Sequence, residues 1–329
     1  MKKTIALIYG GEGREHKISV LSAKNLISMI NRDTYSVISV YIAETGEWFI
    51  ENENGRVPTF PVLLGGEGGL LQNGKITKID LALPILHGEL GEDGVIAGAL
   101  RAAHIKALGC PTLAGAVTSD KITAKFISEA LGIPTARWVF ADGEPSSDAL
   151  RRAEEKLSYP MFIKPSSLGS SIGISRVKNR EEFKEAYKLA SALDGRILIE
   201  EEIRIERELE CAYLSSGGRH HFEVGEICLD GEFYDFGKKY ESDTKTSAFF
   251  GDASVRERVI SYSEALRGAI GIRGLSRLDF FLAEDGEVYF NEINCLPGMT
   301  KTSLYPLLTE KMGFGKGEFI NILISEALV

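Results

Sequence analysis

Apolar and polar residues follow two rhythms along this chain. Residues 4–9 (TIALIY) form an apolar run that stops at Gly10-Gly11, and 18–30 (ISVLSAKNLISMI) follow with a helical period, so the chain opens as strand, glycine turn and helix. The stretches 35–43 and 79–86 read as strands, and about 92–107 as a helix ended by Gly109-Cys110-Pro111. Strand and helix in alternation imply a parallel sheet in a first domain, 1–117. A second unit, 118–205, carries a helix at 119–131, strands near 136–141 and 160–165, a glycine-rich turn at 167–173, a strand at 172–177, a helix at 180–192 and a strand at 196–201. A third, 206–329, is strand-rich up to 235, has a polar glycine-containing stretch at 237–253, a helix near 254–270 and a closing helix near 316–328. Within it, 276–284 and 287–294 alternate apolar and polar about Glu284-Asp285-Gly286, the pattern of a β-hairpin. The fold class is therefore α/β and α+β in three units.

Composition narrows the function classes. The 44% hydrophobic and 26% charged fractions suit a water-soluble globular protein, and no apolar run approaches the roughly 18 residues of a membrane helix. With 38 basic and 47 acidic side chains the net charge of −9 offers no field for a nucleic-acid backbone, so neither nucleic acid nor membrane is an expected partner. The four cysteines, Cys110, Cys211, Cys228 and Cys295, show no CxxC spacing, which predicts reduced thiols and a cytoplasmic setting.

The hairpin carries the first candidate chemistry. Asp279, Glu292 and Asn294 are oxygen donors of the kind magnesium takes, and Glu292 and Asn294, two apart on a strand, share one face. Solvent-facing polar positions of an antiparallel pair would look the same. Three glycine-rich stretches compete as phosphate sites. Gly11-Glu12-Gly13 lacks the third glycine of a dinucleotide fingerprint, since His16 stands there. Gly69 to Ile76 resembles a P-loop one residue short, but Asn73-Gly74 marks a tight hairpin turn and a strand follows. The run from Lys164 to Gly173 places a lysine at a strand end before a small-residue loop whose N–H groups can wrap phosphate oxygens. Lys121 and Lys239 are further lysines able to converge there. The acids 200–210 read either as a solvated run or, at a strand end, as an adenine clamp.

Taken in order, the segments GGEGREHKIS (10–19), LHGELGEDG (86–94), TSDK (118–121), FIKPSSLGSSIG (162–173), LIEEEI (198–203), YDFGKKYESD (234–243), SRLDFF (276–281) and NEINCLPGMTKTSLYP (291–306) resemble the D-alanine:D-alanine ligases of the ATP-grasp superfamily. The resemblance covers nearly the whole chain. It implies a three-domain ATP-grasp architecture and ATP-dependent joining of two D-alanines through an acyl phosphate, in peptidoglycan precursor synthesis. It also implies roles. Glu15 would hold the ammonium of the first D-alanine with His87 nearby, and Ser170 and Tyr240 would bond to Glu15. Lys121, Lys164, Ser171 and Lys239 would meet ATP phosphates, Lys239 at the transferring group; Glu200, Glu201 and Ile203 would meet adenine and Glu208 the ribose. Asp279, Glu292 and Asn294 would ligate two magnesium or manganese ions. Arg277 and the Gly298 N–H would face the developing oxyanion, and Ser303 and Leu304 the second D-alanine. The stretch 237–253 would be a lid, and the assembly a homodimer.

Three departures from the family pattern stand out. Lys17 replaces an acid, SAFFGDAS (247–254) replaces a common Pro-Ala pair, and one extra residue between Glu200 and Glu208 leaves either Glu200 or Glu201 as the adenine clamp, with the register of Ile203 favouring Glu200. A ligase joining D-alanine to D-serine or D-lactate is the nearest alternative; Tyr240 and Leu304 favour D-alanine by family likeness. An ATP-grasp ligase for other carboxylate and amine substrates would not need Glu15, Tyr240 and Ser303.

Overall fold

A computed structural model describes residues 2–64, 67–227, 246–249, 251–300, 303–315 and 317–329. The N-terminal region holds β1 (Lys3–Gly10), α1 (His16–Met29), β2 (Tyr35–Ile42), β3 (Trp48–Asn52), β4 (Gly55–Pro58), β5 (Phe60–Leu64), β6 (Glu67–Gln72), β7 (Lys75–Lys78), β8 (Leu81–Ile85) and α2 (Val95–Ala102). One sheet has the order β4-β3-β2-β1-β8. As expected, β1 runs parallel to β2 and to β8, and its buried run Ile5 to Ile8 is the near-continuous apolar stretch a covered parallel strand requires. The antiparallel β3 and β4 extend one edge. The segment β5-β6-β7 makes a separate small sheet, and its Asn73-Gly74 turn, with φ of 49° and 75°, is the tight hairpin that the sequence announced in place of a P-loop.

Next come α3 (Thr112–Ser119), α4 (Lys121–Ala130), β9 (Trp138–Asp142), α5 (Ser146–Lys156), β10 (Met161–Pro165), β11 (Ser175–Val177), α6 (Arg180–Ser191) and β12 (Arg196–Glu201). The sheet β11-β10-β12-β9 is antiparallel throughout, and its core side chains, Val139, Ile163 and Ile199 among them, meet Leu150 of α5 and Phe183 of α6. The chain closes with β13 (Ile205–Ser216), β14 (Arg219–Ile227), β15 (Thr246–Ala248), α7 (Ala253–Ile270), β16 (Leu275–Ala283), β17 (Val288–Asn294), α8 (Leu304–Lys311) and α9 (Glu318–Leu328), with a sheet ordered β15-β14-β13-β16-β17. The period of two on β13 separates its faces: Leu209, Cys211 and Tyr213 share a core with Val259 and Leu266 of α7, while Ala212 and Leu214 point the other way.

That other face joins the two ends of the chain. Ala212 and Leu214 share one core with Ile5, Leu7 and Leu83 of the first sheet, with Tyr305 and Leu308 of α8 and with Phe319 and Ile324 of α9. Asn321 of α9 donates to Met29 O and accepts from Asn31 N, each at 2.8 Å. Among the described residues no helix is long and apolar enough to cross a membrane.

The cysteines require a correction. Cys110 and Cys295 form a disulfide, with Cα atoms 6.0 Å apart, so the expectation of reduced thiols throughout fails. The partners are separated by 185 positions and meet only through the tertiary fold, which local spacing does not report. Cys211 is a buried free thiol, and Cys228 lies outside the described residues.

Candidate functional site

The first wall of the site is built where β1 and β8 end. Glu15 stands as the N-cap of α1, and its Oε1 accepts a hydrogen bond from Ser170 Oγ, which arrives from the glycine-rich loop of the central region. Its other oxygen lies against Gly88 and Gly169. Next to it, buried His87 has Nε2 3.0 Å from Ser22 Oγ of α1 and Nδ1 3.6 Å from Glu92 Oε1. Burial pushes the Glu92 carboxyl up, with His87 opposing.

The second wall is the cleft over β10 and β12. Asp120 caps α4, accepting from Thr123 N at 2.7 Å, from Ser166 Oγ at 2.8 Å and from Arg196 Nη1 at 2.6 Å. That fixes Lys121, whose Nζ donates to Leu168 O at 2.7 Å and lies 3.3 Å from Glu292 Oε2. The loop beyond holds Ser170 and Ser171 at φ of 52° and 58°, a left-handed pair of the kind that turns backbone N–H groups inward. Glu200 lies between two lysines, Lys164 and Lys125, at 2.5 Å from each. Burial pushes its carboxyl up, but the two ammonium groups outweigh that and hold it at about 2. Glu201, its neighbour, turns to Ser158 N at 2.9 Å and to Arg137 at 3.3 Å. Of the two candidate clamps, Glu200 is thus the one whose carboxylate faces the cleft lysine.

The third wall is the sheet face carrying the hairpin. Cross-strand partners share a face, and Glu210 on β13, Asp279 on β16 and Glu292 on β17 are partners in one row. Arg277 and Asn294 form the next pair on that face. A bulge immediately beyond, between Asp279 and Phe280, ends the regular register beside these side chains. Arg277 donates to both oxygens of Asp279, at 2.7 and 2.6 Å, and lies 3.4 Å from Glu210. Burial opposes the guanidinium charge, yet Asp279 and Glu210 raise its pKa well above the ordinary value. Gly298 follows the hairpin, and Ser303, the N-cap of α8, has its Oγ 2.8 Å from Thr300 Oγ1.

Two adjoining cavities lie between these walls. The larger, about 340 Å³, is lined by Glu15, His87, Ser170, Arg277, Asn294, Gly298, Ser303 and Leu304. The smaller, about 190 Å³ and more apolar, is lined by Lys164, Ser171, Glu200, Glu201, Ile203, Glu208 and Asp279. Lys121, Glu210 and Glu292 line both. The expected site residues thus gather from all three regions, except Lys239 and Tyr240, which lie outside the described residues together with most of 237–253.

Among the described residues no three His, Cys, Asp or Glu side chains group as a metal cluster. The expected trio has an amide as its third donor. Asp279 opposite Glu292, with Asn294 on the same face, is a hard-oxygen set beside Lys121, and it fits a magnesium ion that takes few protein carboxylates and shares phosphate oxygens. Sequence reasoning missed Lys125, Glu92 and Glu210. Glu210 lies two from Glu208 on one strand face, so periodicity carried a signal for it.

Family models described as D-ala D-ala ligase N-terminus and D-ala D-ala ligase C-terminus match residues 4–110 and 127–325. The chain is 38% identical over 337 residues to a D-alanine--D-alanine ligase of Streptococcus gordonii, covering 99% of this chain and 96% of that one. Among solved structures, the VanG D-Ala:D-Ser ligase from Enterococcus faecalis is similar at a TM-score of 0.91 and 32% identity over 100% of both chains. The D-alanyl-alanine synthetase A of Vibrio cholerae is similar at a TM-score of 0.88 and 31% identity, over 99% of this chain and 98% of that one.

Proposed function

This chain belongs to the D-alanine–D-alanine ligase family, and on that premise we propose that the two adjoining cavities bind ATP and two D-alanines and join them through an acyl phosphate. The enzyme is an ATP-dependent ligase of the ATP-grasp fold. The smaller cavity takes the nucleotide. Glu200 accepts from the adenine amino group, Glu201 and Ile203 offer backbone contacts to the ring, and Glu208 takes the ribose hydroxyls. Lys121, Lys164 and the Ser170-Ser171 loop bring cations and N–H groups to the phosphates. Asp279, Glu292 and Asn294 would hold magnesium, which when bound neutralises charge on the phosphoryl oxygens.

The larger cavity takes both amino acids. Glu15, aligned by Ser170, binds the ammonium of the donor D-alanine, whose carboxylate then points toward the phosphoryl group. Phosphorylation turns a poor electrophile into a mixed anhydride with phosphate as leaving group. The amine of the acceptor attacks it, and Arg277 and the Gly298 N–H meet the oxyanion of the tetrahedral species. Ser303 at the N-terminus of α8 receives the acceptor carboxylate, where the helix dipole favours negative charge. Leu304 presents an apolar wall, which favours a methyl over a hydroxymethyl acceptor. A cytoplasmic setting follows from the demand for ATP, and family likeness supports a homodimer, checked by sedimentation at working concentration.

The observation that carries this reading is the convergence of Glu15 and Ser170 with Glu210 and Glu292 around one cavity, while Asp279, their partner in the same cross-strand row, lines the adjoining one. Glu292→Gln should nearly abolish turnover, while Glu15→Gln should chiefly raise the donor Michaelis constant; wild-type kinetics in both variants would sink the assignment. Phosphate release with D-alanine, D-serine and D-lactate offered separately tests the acceptor, and a preference for D-serine would overturn D-alanine.

A further inference from the structure

We propose that Gly225 sets the depth of the acceptor subsite by leaving the space into which Leu304 retracts; the proposal rests on the ligase reading above. Gly225 on β14 is the cross-strand partner of Glu210, so a side chain at 225 would project from the same sheet face as Glu210, Asp279 and Glu292. Ile227, two residues further along that face, lines both cavities. The backbone at 225 lies outside the left-handed region, so its conformation does not demand glycine. Space does. A Cβ there would come within 2.8 Å of Leu304 Cδ2, 3.2 Å of Leu304 Cδ1 and 3.1 Å of Leu308 Cδ2. All three lie inside the roughly 3.5–4.0 Å of ordinary carbon contact.

Where a displaced Leu304 goes follows from its surroundings. It is the first residue of α8, follows the carboxylate-receiving Ser303 and lines the larger cavity. Behind it lies the close core it shares with Ala212, Met299, Tyr305 and Leu308. Dense cores yield little, so the isobutyl group moves toward the cavity and shortens the subsite by about a methyl's width. Gly225 is thus a specificity-determining residue that touches no substrate and acts through Leu304.

The test compares wild type, Gly225→Ala, Leu304→Ala and the double variant, by initial rates over a wide range of D-alanine that separates donor and acceptor Michaelis constants, with a melting curve for each. Gly225→Ala should raise the acceptor constant roughly tenfold or more while the donor and ATP constants stay within about twofold, and in the Leu304→Ala background the same change should shift it less than about twofold. Should the single variant fail to fold, a double variant that folds and melts as Leu304→Ala alone does supports the steric account. An unchanged acceptor constant, a parallel rise in all three constants, an equal effect with and without Leu304, or a double variant that also fails to fold would each overturn it. A wild-type protein that consumes no ATP with D-alanine would instead sink the ligase reading itself.

Discussion

Glu200 is 4% exposed and holds two ammonium groups, those of Lys125 and Lys164, so the three side chains stand or fall together. Glu200→Gln leaves the buried Lys125 cation facing the partly exposed Lys164 with no carboxylate between them, and such a loss costs about 3–5 kcal/mol of stability. The pH dependence has a definite sign. The carboxyl titrates at about 2 in the folded protein against 4.5 ordinarily, so its contribution is fully present above pH 4.5 and drains as pH falls toward 2. Urea unfolding should therefore show a gap between wild type and variant that is wide at pH 6 and narrows on acidification; a gap independent of pH would contradict the coupling. Residues with a chemical reason to stand at a strand end or a loop, such as Lys164, Glu292 and Ser170, are legible in the chain. Lys125 is not, because an ammonium in the middle of a helix ordinarily faces water and only the fold shows it 1% exposed.

Helix α4 begins at a junction of three elements. Asp120 satisfies Thr123 N at the helix start while accepting from Ser166 Oγ and from Arg196 of β12, so one carboxylate sets where Lys121 enters the cleft. Asp120→Ala should lower stability by about 1–2 kcal/mol and raise the Michaelis constant for ATP, and Asp120→Asn should restore much of the stability because an amide still caps. Calorimetry and ATP kinetics check this; an alanine variant with the wild-type ATP constant would refute it. Elements with strong periods, β1, α1, β12 and the β16–β17 hairpin, fall where the apolar pattern places them. The expected helix at 92–107 is shorter, Val95–Ala102, and α5 escapes notice because its buried face is only Ala149, Leu150 and Ala153. Strands β3 and β4 sit at an edge, where little apolar alternation is required.

Over the whole molecule the strands fall into four sheets, two of them before position 117, and the cores cross positions 117 and 205. Ala114 and Ile133 share the core of the C-terminal sheet, and Cys110 is tied to Cys295, next to Asn294. A covalent link closing 185 positions restrains the unfolded chain by up to about 5 kcal/mol on the chain-entropy account. Reductant should lower the urea midpoint, and Cys110→Ser should match the reduced wild type; identical curves with and without reductant would refute the contribution. Long-range closure of this kind leaves no mark in local sequence, nor does the shared core of Leu7, Leu83, Phe319 and Ile324. That core imposes an order on synthesis. A nascent chain emerging from the ribosome holds β1 and α1 ready early, yet their apolar faces wait uncovered until α9 has been translated, so this ligase depends on its first hundred residues staying out of trouble while the rest is made.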